Sequence, residues 1–110
     1  MIEWEARSWE KELESRQGAL ALFVYTPLCG TCTVARRMLE VAEASLPGVR
    51  LFAANINTMP GLAEAYRIES VPCLMLRHPD GSWEKKYRFG SVVEVRERLA
   101  DCFKGEEEKS

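Results

Sequence analysis

Histidine is almost absent. The chain of 110 residues has 1, His78. It stands beside a turn, and a Cys–His nucleophilic pair needs it near a reactive cysteine, for which that position gives no reason. A basic surplus is missing too: 15 Lys and Arg stand against 17 Asp and Glu, a net charge of −2. That argues against a nucleic-acid partner, which needs a concentrated positive surface. No apolar run approaches the roughly 20 residues of a spanning helix. The longest, Ala19–Tyr25, is strand-length, so no membrane partner is expected. The opening MIEWEARSWEKE is too charged for a secretory signal, and the expected compartment is the reducing cytoplasm. Repeats, linkers and low-complexity stretches are lacking as well, which leaves one domain as the expectation.

What is present suits that domain. Hydrophobic residues make up 46% of the chain and charged ones 29%, and there are 4 cysteines. This is too apolar for disorder, and the length suffices to bury a core without a covalent staple. In a reducing compartment the cysteines are redox-active, metal-bound or simply buried rather than structurally paired.

Periodicity divides the chain. Ile2, Ala6, Trp9 and Leu13 fall at helical spacing, which predicts a helix over 6–16 ended by Gly18; 1–4 could instead form a short edge strand. Ala19–Tyr25 is apolar without alternation, the mark of a central strand covered on both faces. From Cys29 the pattern turns helical, with Val34, Met38, Val41 and Ser45 as one stripe and Pro47–Gly48 as the stop. A strand over 49–56 follows, then a short helix opened by Pro60. Cys73–Arg77 reads as a strand. Pro79–Asp80–Gly81 is a tight turn into an antiparallel strand over 82–89. Ser91 and Glu94 form a capping box for a last helix with Val92, Val95, Leu99 and Cys102 or Phe103 on its inner stripe. Parallel βαβ units followed by a hairpin and a terminal helix predict a three-layer α/β/α sandwich with a central mixed sheet. The domain is expected over 1–104, with a charged, disordered tail over 105–110.

Cys29–Gly30–Thr31–Cys32 is the informative motif. Two cysteines three apart at a helix start can close a small disulfide. The first meets unpaired backbone N–H groups and the positive end of the helix dipole, which favour a thiolate. A thiolate can attack a disulfide, and the second cysteine can resolve the mixed disulfide. A CxxC is also half of a zinc site, and Cys29, Cys32, Cys73 and His78 could in principle supply one, although their spacing is not that of a finger. Gly30 leaves room for another chain. Arg36 and Arg37 follow on the same helix, either as a solvated face or as cations that favour a thiolate. Trp4, Trp9 and Trp83 read as packing residues or surface anchors.

At this point the chain resembles the thioredoxin family. The resemblance rests on the strand ALALFVY, the CGTC motif, Val71–Pro72 after the short helix, the Pro-Asp-Gly hairpin, and Gly90 before the last helix. It implies a thiol–disulfide oxidoreductase with catalytic Cys29 and Cys32. It also implies a cis Pro72 whose loop lies against the disulfide, and substrate contacts at Gly30, Thr31, Val71 and Pro72. Substrates are then protein or low-molecular-weight disulfides, electrons come from a thiol reductase or a small thiol, and no bound cofactor or metal is implied. Cys73, directly after Pro72, is a candidate accessory thiol or else a buried hydrophobe. Cys102 reads as a core residue.

The departures set further expectations. Thr31 replaces the family's proline between the cysteines, and Leu28 and Tyr25 stand where tryptophans are typical. The family's buried Asp and its Lys partner fall here on Phe23 and Ala53, so Cys32 lacks the usual internal proton acceptor and the activity is expected to be weak. The competing readings are an adaptor with a redox-regulated groove and, third, a zinc-binding protein.

Overall fold

Water reaches neither face of the central strand. Leu20, Ala21, Leu22, Phe23 and Val24 are each 0% exposed, which explains why this stretch is apolar without alternation. The computed structural model describes residues 1–108. In chain order they form β1 (Ile2–Glu3), α1 (Trp9–Ser15), β2 (Leu20–Tyr25), α2 (Gly30–Ala44), β3 (Leu51–Asn55), α3 (Pro60–Tyr66), β4 (Cys73–Arg77), β5 (Trp83–Lys86) and α4 (Val92–Glu108). Among these residues the sheet has five strands in the order β1-β3-β2-β4-β5. β1 and β2 lie parallel to β3, while β4 is antiparallel to both β2 and β5.

Strand alternation sorts the core into two layers. Ala19, Ala21 and Phe23 pack with Ala35 and Leu39 of α2 and Val95, Leu99 and Cys102 of α4. Leu20, Leu22 and Val24 pack with Leu13 of α1 and Leu62 of α3. The result is the expected three-layer α/β/α sandwich with a mixed sheet.

The start of the chain forms the edge strand, with the Trp4 N–H donating to the Ala53 carbonyl at 2.8 Å beyond the β1 pairing. The helix expected from residue 6 therefore begins at Trp9, after a turn in which the Ser8 N–H donates to the Glu5 carbonyl. β3 stops at Asn55, one residue short of the expected strand, because the Asn55 Oδ1 accepts the Asn57 N–H at 3.0 Å and bends the chain into a 3-10 turn over Ile56–Thr58. β5 ends at Lys86 rather than Phe89. Arg77, at the end of β4, donates to the carbonyls of Leu13, Arg16 and Gly18 and ties the end of α1 to the sheet. The Glu94 N–H donates to the Ser91 Oγ at 3.2 Å, so Ser91 caps α4 as expected. Gly90, just before it, has φ +66°, a conformation that suits glycine. α4 is described to Glu108, four residues into the stretch expected as a tail; residues 109 and 110 lie outside the described residues.

One correction bears on the site. The buried stripe of α2 is Cys32, Ala35, Leu39 and Ala42, not Val34, Met38, Val41 and Ser45. Val34 and Val41 are 56% and 57% exposed. The expected stripe followed side-chain hydrophobicity alone. The actual one carries small alanines and meets a sheet face that is itself lined with Ala19, Ala21 and Ala53. This rotation turns the Cys32 side chain into the core.

Leu39→Ala is expected to cost about 2–5 kcal/mol, the range for a fully buried leucine, whereas Val41→Ser should stay within about 0.5 kcal/mol, as for other surface substitutions. Chemical denaturation of the two variants checks this, and equal losses would put the helix back in the orientation read from hydrophobicity.

Candidate active site

The Cys29 sulfur performs a task usually given to oxygen. After β2 the chain crosses Thr26–Pro27–Leu28, and Cys29 becomes the N-cap of α2 with an extended backbone, φ −101° and ψ 114°. At such a position a Ser, Thr or Asp oxygen normally accepts an orphan helix N–H. Here the Cys29 Sγ accepts the Cys32 N–H at 3.2 Å and lies 3.1 Å from the Thr31 Oγ1. Hydrogen bonds to the charged form favour it. The Cys29 thiol is accordingly held below its ordinary range, first by the Cys32 thiol, then by the Thr31 hydroxyl, with the backbone of both residues adding to the effect. Thr31, a departure from the family pattern, thus contributes a hydrogen-bonding group that a proline lacks.

Cys32 has the opposite environment. It is 3% exposed, and burial, followed by its hydrogen bond to Cys29, pushes its thiol up to about 11. Both residues are free thiols. Of the two, Cys29 ionises first and is the one that solvent reaches.

The Val71–Pro72 bond is cis, in keeping with the resemblance. Thr31, Val34, Met38, Pro72 and Phe89 contribute to the walls of an apolar cavity of about 360 Å³, which brings the proline loop beside the CGTC turn. A Cβ added at Gly30 meets nothing within 4 Å, so the surface over the motif is open. Leu28, next to Cys29, is 98% exposed.

Other candidates lie elsewhere. Cys73 is fully buried on the α1 and α3 side of the sheet with Val24, Met59 and Leu62. The CGTC residues pack on the opposite side. Strand parity puts Cys73 where it is: one step from Pro72 turns a side chain through the sheet. Burial pushes the Cys73 thiol up to about 11. Cys102 is buried between α4 and the sheet, its Sγ donating to the Arg77 carbonyl at 3.3 Å. The His78 Nε2 lies 2.9 Å from the Glu84 Oε1 at the hairpin. Among the described residues no group of three or more His, Cys, Asp or Glu side chains is arranged to hold a metal ion, so Cys29, Cys32, Cys73 and His78 do not come together as a zinc set.

Phe23 and Ala53 are directly paired in the β2–β3 register, and both are fully buried on the Cys32 side. The Phe23 ring stacks on Tyr25 at 5.6 Å and meets Phe89 edge-on at 6.1 Å. The interior beneath the motif is therefore apolar. The polar groups stand at its rim. The Arg36 guanidinium lies 4.6 Å from the Tyr25 ring centre and 5.5 Å from that of Phe23. It donates to Glu3 at 3.5 Å, and the Tyr25 hydroxyl donates to the same carboxylate at 2.7 Å. Sequence reading singled out Arg36 but missed Glu3. Its edge-strand placement was one of two options, and only the β1–β3 pairing brings it here.

With this geometry in place, a family model described as thioredoxin matches residues 1–100. A thioredoxin-like protein of Bacillus subtilis, YusE, is 46% identical over 78 residues, covering 71% of this chain and 74% of that protein. A thioredoxin of Chlamydia trachomatis is 32% identical over 59 residues, 54% of this chain and 58% of its own length. Chloroplastic thioredoxin z superposes with a TM-score of 0.80 at 19% identity over 96% of both chains. Mitochondrial thioredoxin 3 of Saccharomyces cerevisiae gives 0.75 at 18% identity over 92% of this chain and 94% of its own.

Two outcomes are expected. Thr31→Val removes the hydroxyl from Cys29 and should raise the pH midpoint of Cys29 alkylation by about half a unit to one unit, the scale of one hydrogen bond to a partly exposed thiolate; a midpoint that does not move removes Thr31 from the account. Phe23→Asp loses a core aromatic, about 3–5 kcal/mol for full truncation, and buries a carboxylate opposite Ala53, which supplies no cation, with the Arg36 guanidinium only at the rim, 5.5 Å from the present ring centre. Burial raises the folded-state pKa of such an acid. The added penalty is then absent below the unfolded value of about 4 and grows as pH rises toward the folded one. Melting temperatures at pH 4 and 7 check this, and an unchanged melting temperature shows that residue 23 is not buried.

Proposed function

We propose, for a chain that belongs to the thioredoxin family and so is in general a thiol–disulfide oxidoreductase, that the Cys29–Cys32 pair exchanges dithiol for disulfide with protein or low-molecular-weight disulfides. The observation that carries this reading is the unequal environment of the two thiols: Cys29 lowered at the N-cap of α2, Cys32 buried and raised to about 11. The Cys29 thiolate attacks one sulfur of the substrate disulfide, and the other sulfur leaves as a thiolate. Cys32 then gives up its proton and attacks the Cys29 sulfur. The Cys29–Cys32 bond forms, the second substrate thiolate leaves, and two electrons have passed to the substrate. A thiol reductase or a small thiol in a reducing, cytoplasmic setting resets the pair. No bound cofactor takes part.

The open backbone above Gly30 and the loop carrying Val71 and cis Pro72 support the reading that an extended substrate segment lies across the motif, pairing along its backbone like an added strand. Thr31 and Pro72 line the same apolar cavity, which suits an apolar side chain near the substrate cysteine.

Phe23 and Ala53 favour a second reading, a binding module with a redox latch in the same groove, because neither can take the proton of Cys32. Turnover in a reductase-coupled insulin assay separates the two: sustained turnover supports the enzyme, stoichiometric exchange alone the module.

Cys32→Ser is expected to accumulate mixed disulfides through Cys29, and Cys29→Ser to abolish them, as seen by mass spectrometry after quenching. A Cys29→Ser protein that exchanges disulfides at the wild-type rate overturns the enzymatic reading.

A further inference from the structure

The resolving step requires Cys32 to ionise, yet its thiol is held high by burial, and the interior around it offers no acid: Phe23 and Ala53 occupy the facing strand positions. A second cavity, about 220 Å³, opens beside it. Tyr25, Pro27, Cys32, Thr33 and Arg36 are among its walls, so Cys32 and Arg36 share one space. They also share one face of α2, being four residues apart on the helix. A guanidinium is permanently cationic, and this one is held in place from two sides. Its plane lies near the Tyr25 and Phe23 rings, it donates to Glu3 on β1, and the Tyr25 hydroxyl, from β2, braces the same carboxylate.

We propose that Arg36 is a positioning residue for the resolving step: from the rim of this cavity its charge stabilises the Cys32 thiolate as that thiolate attacks the Cys29 mixed disulfide, doing from outside what an internal acid does elsewhere by taking the proton. The proposal rests on the exchange function argued above. The Cys32 proton leaves through the cavity to solvent, the thiolate that remains is compensated by the guanidinium, and the Cys29–Cys32 bond forms as the substrate thiolate departs. The charged and titratable groups around Cys32 are few. Burial raises its pKa most and Cys29 adds to that, while the Thr26 backbone lowers it and Arg36, from the same helix, lowers it further. Tyr25 faces the cavity from β2, held above its ordinary pKa by burial and by Glu3 and so kept as a neutral hydroxyl. Glu3 faces Arg36 from β1 and offsets part of its charge while fixing its place.

The test uses the reduced full chain and dithiodipyridine, an uncharged aromatic disulfide. Cys29 attack releases one pyridinethione and leaves a mixed disulfide; Cys32 attack releases the second. Two absorbance phases therefore report the two steps, each followed against pH. In Arg36→Met, which keeps the stem but not the charge, the pH midpoint of the second phase is expected to rise by about half a unit to one unit, a three- to tenfold slower resolution at pH 7. The first phase should be far less affected. Arg36→Gln should behave as Arg36→Met, and Arg36→Lys should restore most of the rate. A second phase whose pH profile is the same in Arg36→Met and Arg36→Gln as in the wild type overturns the inference, as does a slowing equal at every pH. A wild-type protein with no Cys29-dependent first phase overturns the exchange function, and the inference falls with it.

Discussion

The hydrogen bond from the Cys32 N–H to the Cys29 sulfur organises the site. A helix must satisfy its first orphan N–H groups, and α2 satisfies one of them with the sulfur of its N-cap residue, Cys29. The same contact caps the helix, fixes the Cys29 rotamer and favours its thiolate. It also fixes the phase of the helix. With Cys29 at the N-cap, the inward face passes through Cys32, Ala35, Leu39 and Ala42, and the second thiol of the motif is carried into the core. Two chemically identical side chains three residues apart thus acquire opposite properties from one turn of helix.

That division depends on the strand behind it. β2 is buried on both faces, so it sits at a fixed depth and ends where the motif begins. Its odd-numbered residues face α2, and its even-numbered ones face α1 and α3. Parity therefore decides which side chains meet the motif. Phe23 does and Val24 does not; on β4, Leu74 faces the α2 layer and Cys73 faces away.

This parity also explains what could be read in the sequence. The sandwich, the hairpin and the cap of α4 were legible, because they rest on long apolar runs and turn chemistry, while the pairing of residue 23 with residue 53 came only from the family resemblance. The stripe of α2 was not legible. Half of its buried face is alanine, set against a sheet layer that includes Ala19, Ala21 and Ala53, and alanine gives hydrophobicity scales little contrast, while two valines point to solvent. Adjacency to Pro72 left Cys73 open as an accessory thiol or a buried hydrophobe, and the strand, which turns successive side chains to opposite faces, buries it away from the α2 layer. Glu3 escaped notice because its neighbours, Tyr25 and Arg36, lie 22 and 33 positions away in the chain, and only the β1–β3 pairing brings them together.

The apolar interior has its own logic. A buried carboxylate costs stability unless it is paired, and Ala53, the strand partner of residue 23, supplies no cation. With Phe23 and Ala53, the chain instead fills the space with ring contacts to Tyr25 and Phe89, which strengthen the sheet against α2 and leave no desolvated charge. What is given up is a proton acceptor at the shortest distance. The charges that remain, Arg36 and Glu3, stand where solvent supports them and where a side chain can move without opening the core. Stability and redox chemistry are thereby separated in space. The interior face of Phe23 belongs to the fold, and its rim, with Tyr25 and Arg36, is the part of the protein in which the ionisation of Cys32 can be adjusted without disturbing the sheet.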